Sequence, residues 1–313
     1  MENVVYQGYI EEETKALFET LPNYHFSYYD KKEVIPEEVL KNCDIAIGNL
    51  TKQQVEQMPN LKWVQLTSAG VEHMLWLPKE IVLSNAYGAY GKGISEYMLA
   101  CALSIYKSLP RYEKNQREHL WEEYDSGYNI DQLHVLSIGM GSIGSAFLER
   151  MARLGATCYG VKRTLTQAPS YVKELYTLDA LDAVLPQMDI LGVSLPATQE
   201  TNGILNKERL LKCKKDAILI NVGRANAIVT SDLIDVMQMG YFKGVYLDVF
   251  DYEPLPKNNP LWNQERLYIT PHISGRYTSH AHYQNVIAVL YENLKRHANK
   301  EDLLHVVDRT LGY

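Results

Sequence analysis

Arg224, Glu253 and His272 are residue types that together can bind an anion, steer an imidazole and move a proton. A guanidinium is a planar, two-pronged cation matched to a carboxylate. An imidazole is the side chain whose ordinary pKa lies near working pH, which suits it to proton transfer. A carboxylate beside the ring can hold one of its nitrogens. Each of the three residues follows a short apolar run, at 217–221, 244–248 and 267–269. Taken singly, each has a plainer reading: a surface cation, a cap before Pro254, a turn residue after Pro271. Their order, and their shared place after a strand-like run, favour the joint reading, because parallel sheets bind ligands at the carboxyl edge of their strands.

The elements that must position them are announced upstream by Gly139-Met140-Gly141-Ser142-Ile143-Gly144. This loop follows an apolar run at 135–138 and opens into an amphipathic stretch at 146–154. Strand, glycine turn and helix is the context of a dinucleotide site. Gly139 permits the turn, Gly141 lets the backbone approach a pyrophosphate, and Gly144 lets the helix sit on the strand. The helix start then presents free N–H groups, with Ser142 and Ile143 in the first turn. At the end of the next strand an NAD site usually has an acid; here Lys162, Arg163 and Thr164 stand instead. They would suit a 2′-phosphate, so NADP(H) is favoured over NAD(H).

Strand-like runs at 135–138, 157–161, 190–194, 217–221, 244–248 and 267–269, with helices fitting between them, predict a doubly wound sheet of six strands. One helix is expected to be capped at Thr230/Ser231 and stopped by Gly240. The first hundred residues hold strand-like runs at 44–47, 61–66 and 81–83 and helix-compatible segments at 37–41 and 52–58, which predicts a further α/β unit. The pattern at 94–107 is apolar on most faces, as in a buried helix. Residues 111–131, polar and aromatic with Trp121 and Tyr124, read as an excursion from the core. A last helix near 282–297 would return to the first unit. Two domains meeting at a cleft is where a cofactor enzyme would work.

The length of 313 residues suits two domains, and a net charge of −7 with no long basic block argues against a nucleic-acid or anionic-membrane partner. The amino terminus does not read as a signal peptide, and the longest apolar stretch, near 97–106, is too short to span a bilayer. Cys43, Cys101, Cys158 and Cys213 lack CxxC spacing and read as reduced, buried thiols; the expectation is a cytoplasmic protein. His280 and His282 lie close to His272, but no ligand spacing surrounds them, so no metal is expected. Glu96 reads as structural, and Tyr87, Tyr90 and Tyr97 as packing. Trp76 reads equally as core or as pocket lining.

The chain resembles the D-isomer-specific 2-hydroxyacid dehydrogenase family, of the NADP-type glyoxylate/hydroxypyruvate reductase kind, over nearly its whole length. The resemblance rests on the glycine loop, Leu195-Pro196-Ala197-Thr198-Gln199-Glu200-Thr201, Ile220-Asn221-Val222-Gly223-Arg224, Leu247-Asp248-Val249-Phe250-Asp251-Tyr252-Glu253-Pro254 and Thr270-Pro271-His272-Ile273-Ser274-Gly275. Ser68-Ala69-Gly70-Val71-Glu72 and Ser95-Glu96-Tyr97 add to it. It implies a Rossmann-type doubly wound domain, 98–280, inserted into a smaller flavodoxin-like substrate domain, 1–97 plus 281–313, usually in a homodimer. It also implies reduction of a small 2-oxo acid to the D-2-hydroxy acid. His272 would donate the proton, Glu253 would hold its other nitrogen, and Arg224 would bind the substrate carboxylate and polarise the carbonyl. Backbone N–H groups near Ala69 and Gly70 would take the other carboxylate oxygen. Pro196, Thr201, Val222 and Asp248 would line the cofactor, with Asp248 beside the nicotinamide carboxamide. The stretch 119–131 would reach across a dimer.

Family members usually read Ala-Arg-Gly where this chain reads Gly223-Arg224-Ala225, and aspartate is commoner at Glu72. A dinucleotide-sensing binding protein, like corepressors on this scaffold, is the alternative function. Formate enzymes of the fold typically carry Gln in place of Glu253, which disfavours that chemistry.

Overall fold

The protein is described from a computed structural model, covering residues 1–124 and 129–313. Its contacts divide it into two compact units, residues 1–90 with 276–313, and residues 91–275.

The first unit opens with β1 (Glu2–Gln7), α1 (Glu12–Glu19), β2 (Tyr24–Tyr29), α2 (Glu37–Lys41), β3 (Ile45–Gly48), α3 (Lys52–Glu56), β4 (Trp63–Gln65) and β5 (Val82–Ser84). Among the described residues its strands form one parallel sheet in the order β2-β1-β3-β4-β5. The expected strands near 44–47, 61–66 and 81–83 are β3, β4 and β5. β1 and β2 were not foreseen, although Tyr-His-Phe-Ser-Tyr in β2 alternates rings with polar groups. Helix α3 starts on a capping box in which Thr51 and Gln54 satisfy each other's backbone N–H.

The second unit runs through α4 (Gly91–Tyr106), α5 (Leu109–Glu118), β6 (His134–Ile138), α6 (Ser142–Arg153), β7 (Thr157–Val161), β8 (Glu174–Tyr176) and α7 (Leu181–Val184). It continues with β9 (Ile190–Val193), α8 (Lys207–Lys212), β10 (Ile218–Asn221), α9 (Thr230–Gln238), β11 (Gly244–Leu247) and β12 (Leu267–Ile269). Its parallel sheet has the order β12-β11-β10-β9-β6-β7-β8 and reverses direction of growth between β6 and β9, as a doubly wound sheet does. The described sheet has seven strands where six were expected. The extra one, β8, pairs only with β7 at the edge and is three residues of mixed polarity.

Helix α4 is apolar on most faces and largely buried, as expected for 94–107: Ile94, Ser95, Met98, Cys101, Ala102, Ile105 and Tyr106 are buried, while Glu96 and Ala100 are exposed. Two further expectations change. Residues 111–131 are not wholly an excursion, because α5 occupies their beginning. Tyr124 folds back on α5, its ring 3.6 Å from the Arg111 guanidinium carbon and its hydroxyl bonded to buried Asn115. Trp121 is 97% exposed, and residues 125–128 of the stretch expected to cross a dimer lie outside the described residues. Finally, α9 has Val229 at its cap, so Thr230 and Ser231 lie inside the first turn, where the Thr230 hydroxyl donates to Asp251 at 3.0 Å.

The chain then returns to the first unit as α10 (His280–Ala298). The Tyr24 hydroxyl donates to the Leu294 carbonyl, Tyr283 to Thr14, and the Asn293 amide to Gln65, each at 3.0 Å or less. Beyond it, the Val307 N–H donates to the Leu83 carbonyl at 2.8 Å, fastening the final segment to β5. No described helix is long and apolar enough to cross a membrane.

Candidate active site

In the second unit the register of the sheet decides what can meet. Asn221, Leu247 and Ile269, the last residues of β10, β11 and β12, lie side by side. Arg224 follows β10, Asp248 and Glu253 follow β11, and His272 follows β12, so all four leave the carboxyl edge of three neighbouring strands.

His272 and Glu253 are paired: the ring Nδ1 is 2.8 Å from Glu253 Oε2, with half of the imidazole exposed. The other carboxylate oxygen, Oε1, accepts from the Phe250 N–H at 3.0 Å, which fixes the carboxylate plane. His272 itself has φ +50°, a left-handed conformation that costs on the order of 1–3 kcal/mol for a residue bearing a Cβ. Asp248 offsets it. Its fully buried carboxylate accepts from the Ile273 N–H at 2.9 Å, the Ser274 N–H at 3.0 Å and the Thr270 hydroxyl at 2.6 Å, gripping the turn on both sides of the histidine.

Arg224 is half-buried, and its Nη1 donates to the Gly223 carbonyl at 3.0 Å. The turn that carries it is shaped by Asn221, buried at the end of β10: its side-chain oxygen accepts from the Gly223 N–H and its amide donates to the Arg224 carbonyl. The signal for Asn221 was in plain view, a polar residue closing an otherwise apolar strand. The departure at Gly223-Arg224-Ala225 also has a structural account. Ala225 opens a 3-10 turn at ordinary negative φ and needs no glycine. A Cβ on Gly223 would lie 2.7 Å and 2.8 Å from the Leu195 backbone nitrogen and oxygen, so the small residue is required on the other side of the arginine.

The glycine loop has the turn at Gly139 and the close helix packing at Gly144 that its sequence suggested. Gly139 has φ +107°, and its carbonyl accepts from the hydroxyls of Ser137 and Ser194 at 2.8 Å and 3.1 Å. A Cβ on Gly144 would fall 1.9 Å from that same carbonyl oxygen, so α6 can rest on the turn only with glycine there. Gly141 is the N-cap and brings no side-chain acceptor, which leaves the first-turn N–H groups, including those of Ser142 and Ile143, facing outward for an anion. What the loop offers an anion is therefore backbone N–H groups and no side-chain acceptor.

Lys162, Arg163 and Thr164 follow β7, with Arg163 and Thr164 exposed and the Lys162 ammonium 3.0 Å from the Thr166 hydroxyl. Past β9, the buried Thr201 hydroxyl donates to the Pro196 carbonyl at 2.7 Å and accepts from the Thr198 N–H at 2.9 Å, closing that loop on itself. Val222 is buried, its N–H donating to the Val193 carbonyl. Tyr97, read as packing, donates or accepts a 2.6 Å bond with Thr270. Glu96 pairs with Arg150 at 3.1 Å, joining α4 to α6.

In the first unit, Ala69 and Gly70 follow β4. The Asn85 amide donates to the Ala69 carbonyl at 2.7 Å and the Ser68 hydroxyl to the Gly70 carbonyl at 2.8 Å, which fixes the turn through its carbonyls. Trp76 is 38% exposed, its indole donating to the His73 carbonyl. His282 is buried at the start of α10, its Nδ1 bonded to the Ser279 hydroxyl. Among the described residues no group of three or more His, Cys, Asp or Glu is arranged to hold a metal ion.

The profile of the D-isomer specific 2-hydroxyacid dehydrogenase NAD binding domain matches residues 99–274. The chain is 30% identical over 282 residues to glyoxylate/hydroxypyruvate reductase A of Enterobacter sp. (strain 638), covering 87% of this chain and 88% of that one. Two solved structures match across the full length. A D-isomer specific 2-hydroxyacid dehydrogenase from Xanthobacter autotrophicus Py2, in complex with NADPH and MES, has a TM-score of 0.87 at 26% identity and covers 100% of this chain and 99% of its own. An NADPH-dependent glyoxylate/hydroxypyruvate reductase from Sinorhizobium meliloti, in complex with NADP and sulfate, has a TM-score of 0.85 at 26% identity and covers 100% of both chains.

Proposed function

The chain belongs to the D-isomer-specific 2-hydroxyacid dehydrogenase family, and from that membership we propose that it reduces a small 2-oxo acid to the D-2-hydroxy acid, with His272 as proton donor and NADPH as preferred cofactor. It is an NAD(P)-dependent dehydrogenase with a Rossmann-type sheet. The observation that carries the proposal is the His272–Glu253 pair on a turn gripped by Asp248, at the carboxyl edge of the sheet that bears the glycine loop.

Bound in that loop, the dinucleotide supplies the hydride. The chain supplies the rest. Arg224 binds the substrate carboxylate and draws electron density from the carbonyl oxygen. Glu253 accepts from Nδ1 and so leaves Nε2 as the nitrogen that faces the substrate. Nε2 gives its proton to the oxygen of the reduced carbon and takes it back in the oxidation direction. The N–H groups near Ala69 and Gly70 receive the second carboxylate oxygen. We assign dinucleotide binding and the substrate contacts of Arg224 and His272 to the second unit, and the contacts of Ala69 and Gly70 to the first. Pro196, Thr201, Val222 and Asp248 line the cofactor, and Lys162, Arg163 and Thr164 receive the 2′-phosphate. Two relatives with solved structures are named as NADPH or NADP complexes, which supports the cofactor preference.

The alternative, a dinucleotide-sensing binding protein, draws no support from relatives named as reductases and dehydrogenases. A homodimer is the assembly we propose, and sedimentation of the purified protein tests it. The activity is tested by following NADPH consumption against glyoxylate, hydroxypyruvate and a branched 2-oxo acid, with the handedness of the hydroxypyruvate product determined. Turnover of at least one acid to the D product is expected. A protein that binds NADPH and turns over none of them sinks the proposal.

A further inference from the structure

Helix α4 links the two working parts of the second unit. At its first residue, a Cβ on Gly91 would touch the Ser142 carbonyl oxygen at 2.9 Å, so α4 begins against the first turn of α6. Two turns on, Met98 fills a notch over Gly192 of β9, where a Cβ would meet the methionine methyl at 2.6 Å. Between these contacts Tyr97 extends its phenol to the Thr270 hydroxyl at 2.6 Å, and that hydroxyl lies 2.6 Å from Asp248 Oδ1.

The direction of the bonds follows from counting protons. Among the described residues, the three partners of Asp248 each bring a donor to it, so the single Thr270 hydroxyl proton points at the carboxylate. Thr270 can then only accept from Tyr97, and the phenol must donate. We propose that Tyr97 is a positioning residue for the proton donor: through Thr270 and Asp248 it holds the left-handed turn at His272 in register with the helix that faces the cofactor. This inference rests on the reading of His272 as proton donor. Burial pushes the Tyr97 phenol far above its ordinary range, so it keeps the proton that it donates.

The test uses the full chain, with glyoxylate and NADPH as probes. Tyr97→Phe should lower kcat by about tenfold, less than the hundredfold that a displacement on the order of 1 Å can cost. The KM for glyoxylate and the Kd for NADPH should be little changed. Thr270→Val should show the same loss, and Thr270→Ser, which keeps the hydroxyl, should recover most of it. Because the two residues act in one chain of bonds, Tyr97→Phe with Thr270→Val should be no worse than Thr270→Val alone. The His272 ring resonance, identified by its disappearance in His272→Asn, should shift in Tyr97→Phe. A wild-type kcat with an unmoved His272 resonance, or additive losses in the double variant, overturns the inference. Should Tyr97→Phe fail to fold, Thr270→Val against Thr270→Ser decides. Wild-type turnover in His272→Asn would instead defeat the proton-donor reading, and the ring resonance would still report whether Tyr97 sets the turn.

Discussion

At His272 both the backbone and the side chain are constrained, and the two constraints come from different carboxylates. Asp248 holds the turn; Glu253 holds the ring. His272→Asn should therefore cost roughly a hundredfold or more in turnover, the usual worth of acid–base catalysis, while leaving NADPH binding intact. Initial rates and a fluorescence titration check it, and near-normal turnover would remove His272 from the mechanism. Glu253→Gln should fall between wild type and that variant, because an amide cannot accept from both the ring and the Phe250 N–H. The arginine turn gives a sharper expectation. Gly223→Ala would bring this chain closer to the usual family spelling, yet it drives a methyl into the Leu195 backbone. A loss of about 1–3 kcal/mol in denaturant unfolding is expected, as for overpacking of a tight site. These side chains were legible in the sequence because residue type and order announce chemistry. Asn221 stood out as a polar residue closing an apolar strand, but its role and that of Tyr97 were not legible, because what they do depends on which backbone group or hydroxyl lies within reach, and only tertiary distances supply that.

Elements that repeat a strong local signal were legible, and those held by context were not. The glycine turn and the apolar runs of β6, β7, β9, β10, β11 and β12 marked themselves. β8 did not, since an edge strand of three residues needs only one neighbour to exist. Helix α5 was hidden by its polarity: it buries little beyond Asn115, which Tyr124 caps from outside. Likewise Thr230 and Ser231 looked like caps, but Asp251 claims the Thr230 hydroxyl. The segment after β7 carries the prediction at this scale. Replacing Lys162 and Arg163 with neutral residues should weaken NADPH more than NADH, since only the former brings a 2′-phosphate. Paired titrations measure it, and an equal loss for both cofactors would defeat the phosphate assignment.

For the whole molecule, two solution properties follow from what is buried. All four cysteines are buried, and burial pushes their thiols up to about 12. A thiol reagent at mildly alkaline pH should leave the native protein almost unlabelled and label four sites after unfolding. Asp44 gives an acid-side signature. Burial alone would raise its carboxyl, but the Asn3 N–H and the Lys62 ammonium, both at 3.0 Å, outweigh it and hold the group below its ordinary value. A depressed carboxyl stabilises above its unfolded pKa and loses that contribution as pH falls through the folded one. Asp44→Asn should therefore lower stability at neutral pH by about 1.5 kcal/mol, the scale of a bond to a charged group, with the difference closing in acid. Thermal melts across pH read it.

The first unit is written in two instalments, and its last strand is fastened by residues near the far end of the chain. A ribosome therefore releases some ninety residues that have no finished core, makes the entire dinucleotide sheet, and only afterwards delivers the helix and tail that close the beginning. The second unit can settle while still tethered; residues 1–90 must wait, with apolar edges uncovered, until residues 276–313 have emerged. Translational stalling within residues 91–275 should thus leave the chain exposed at residues 1–90 rather than at the segment just made.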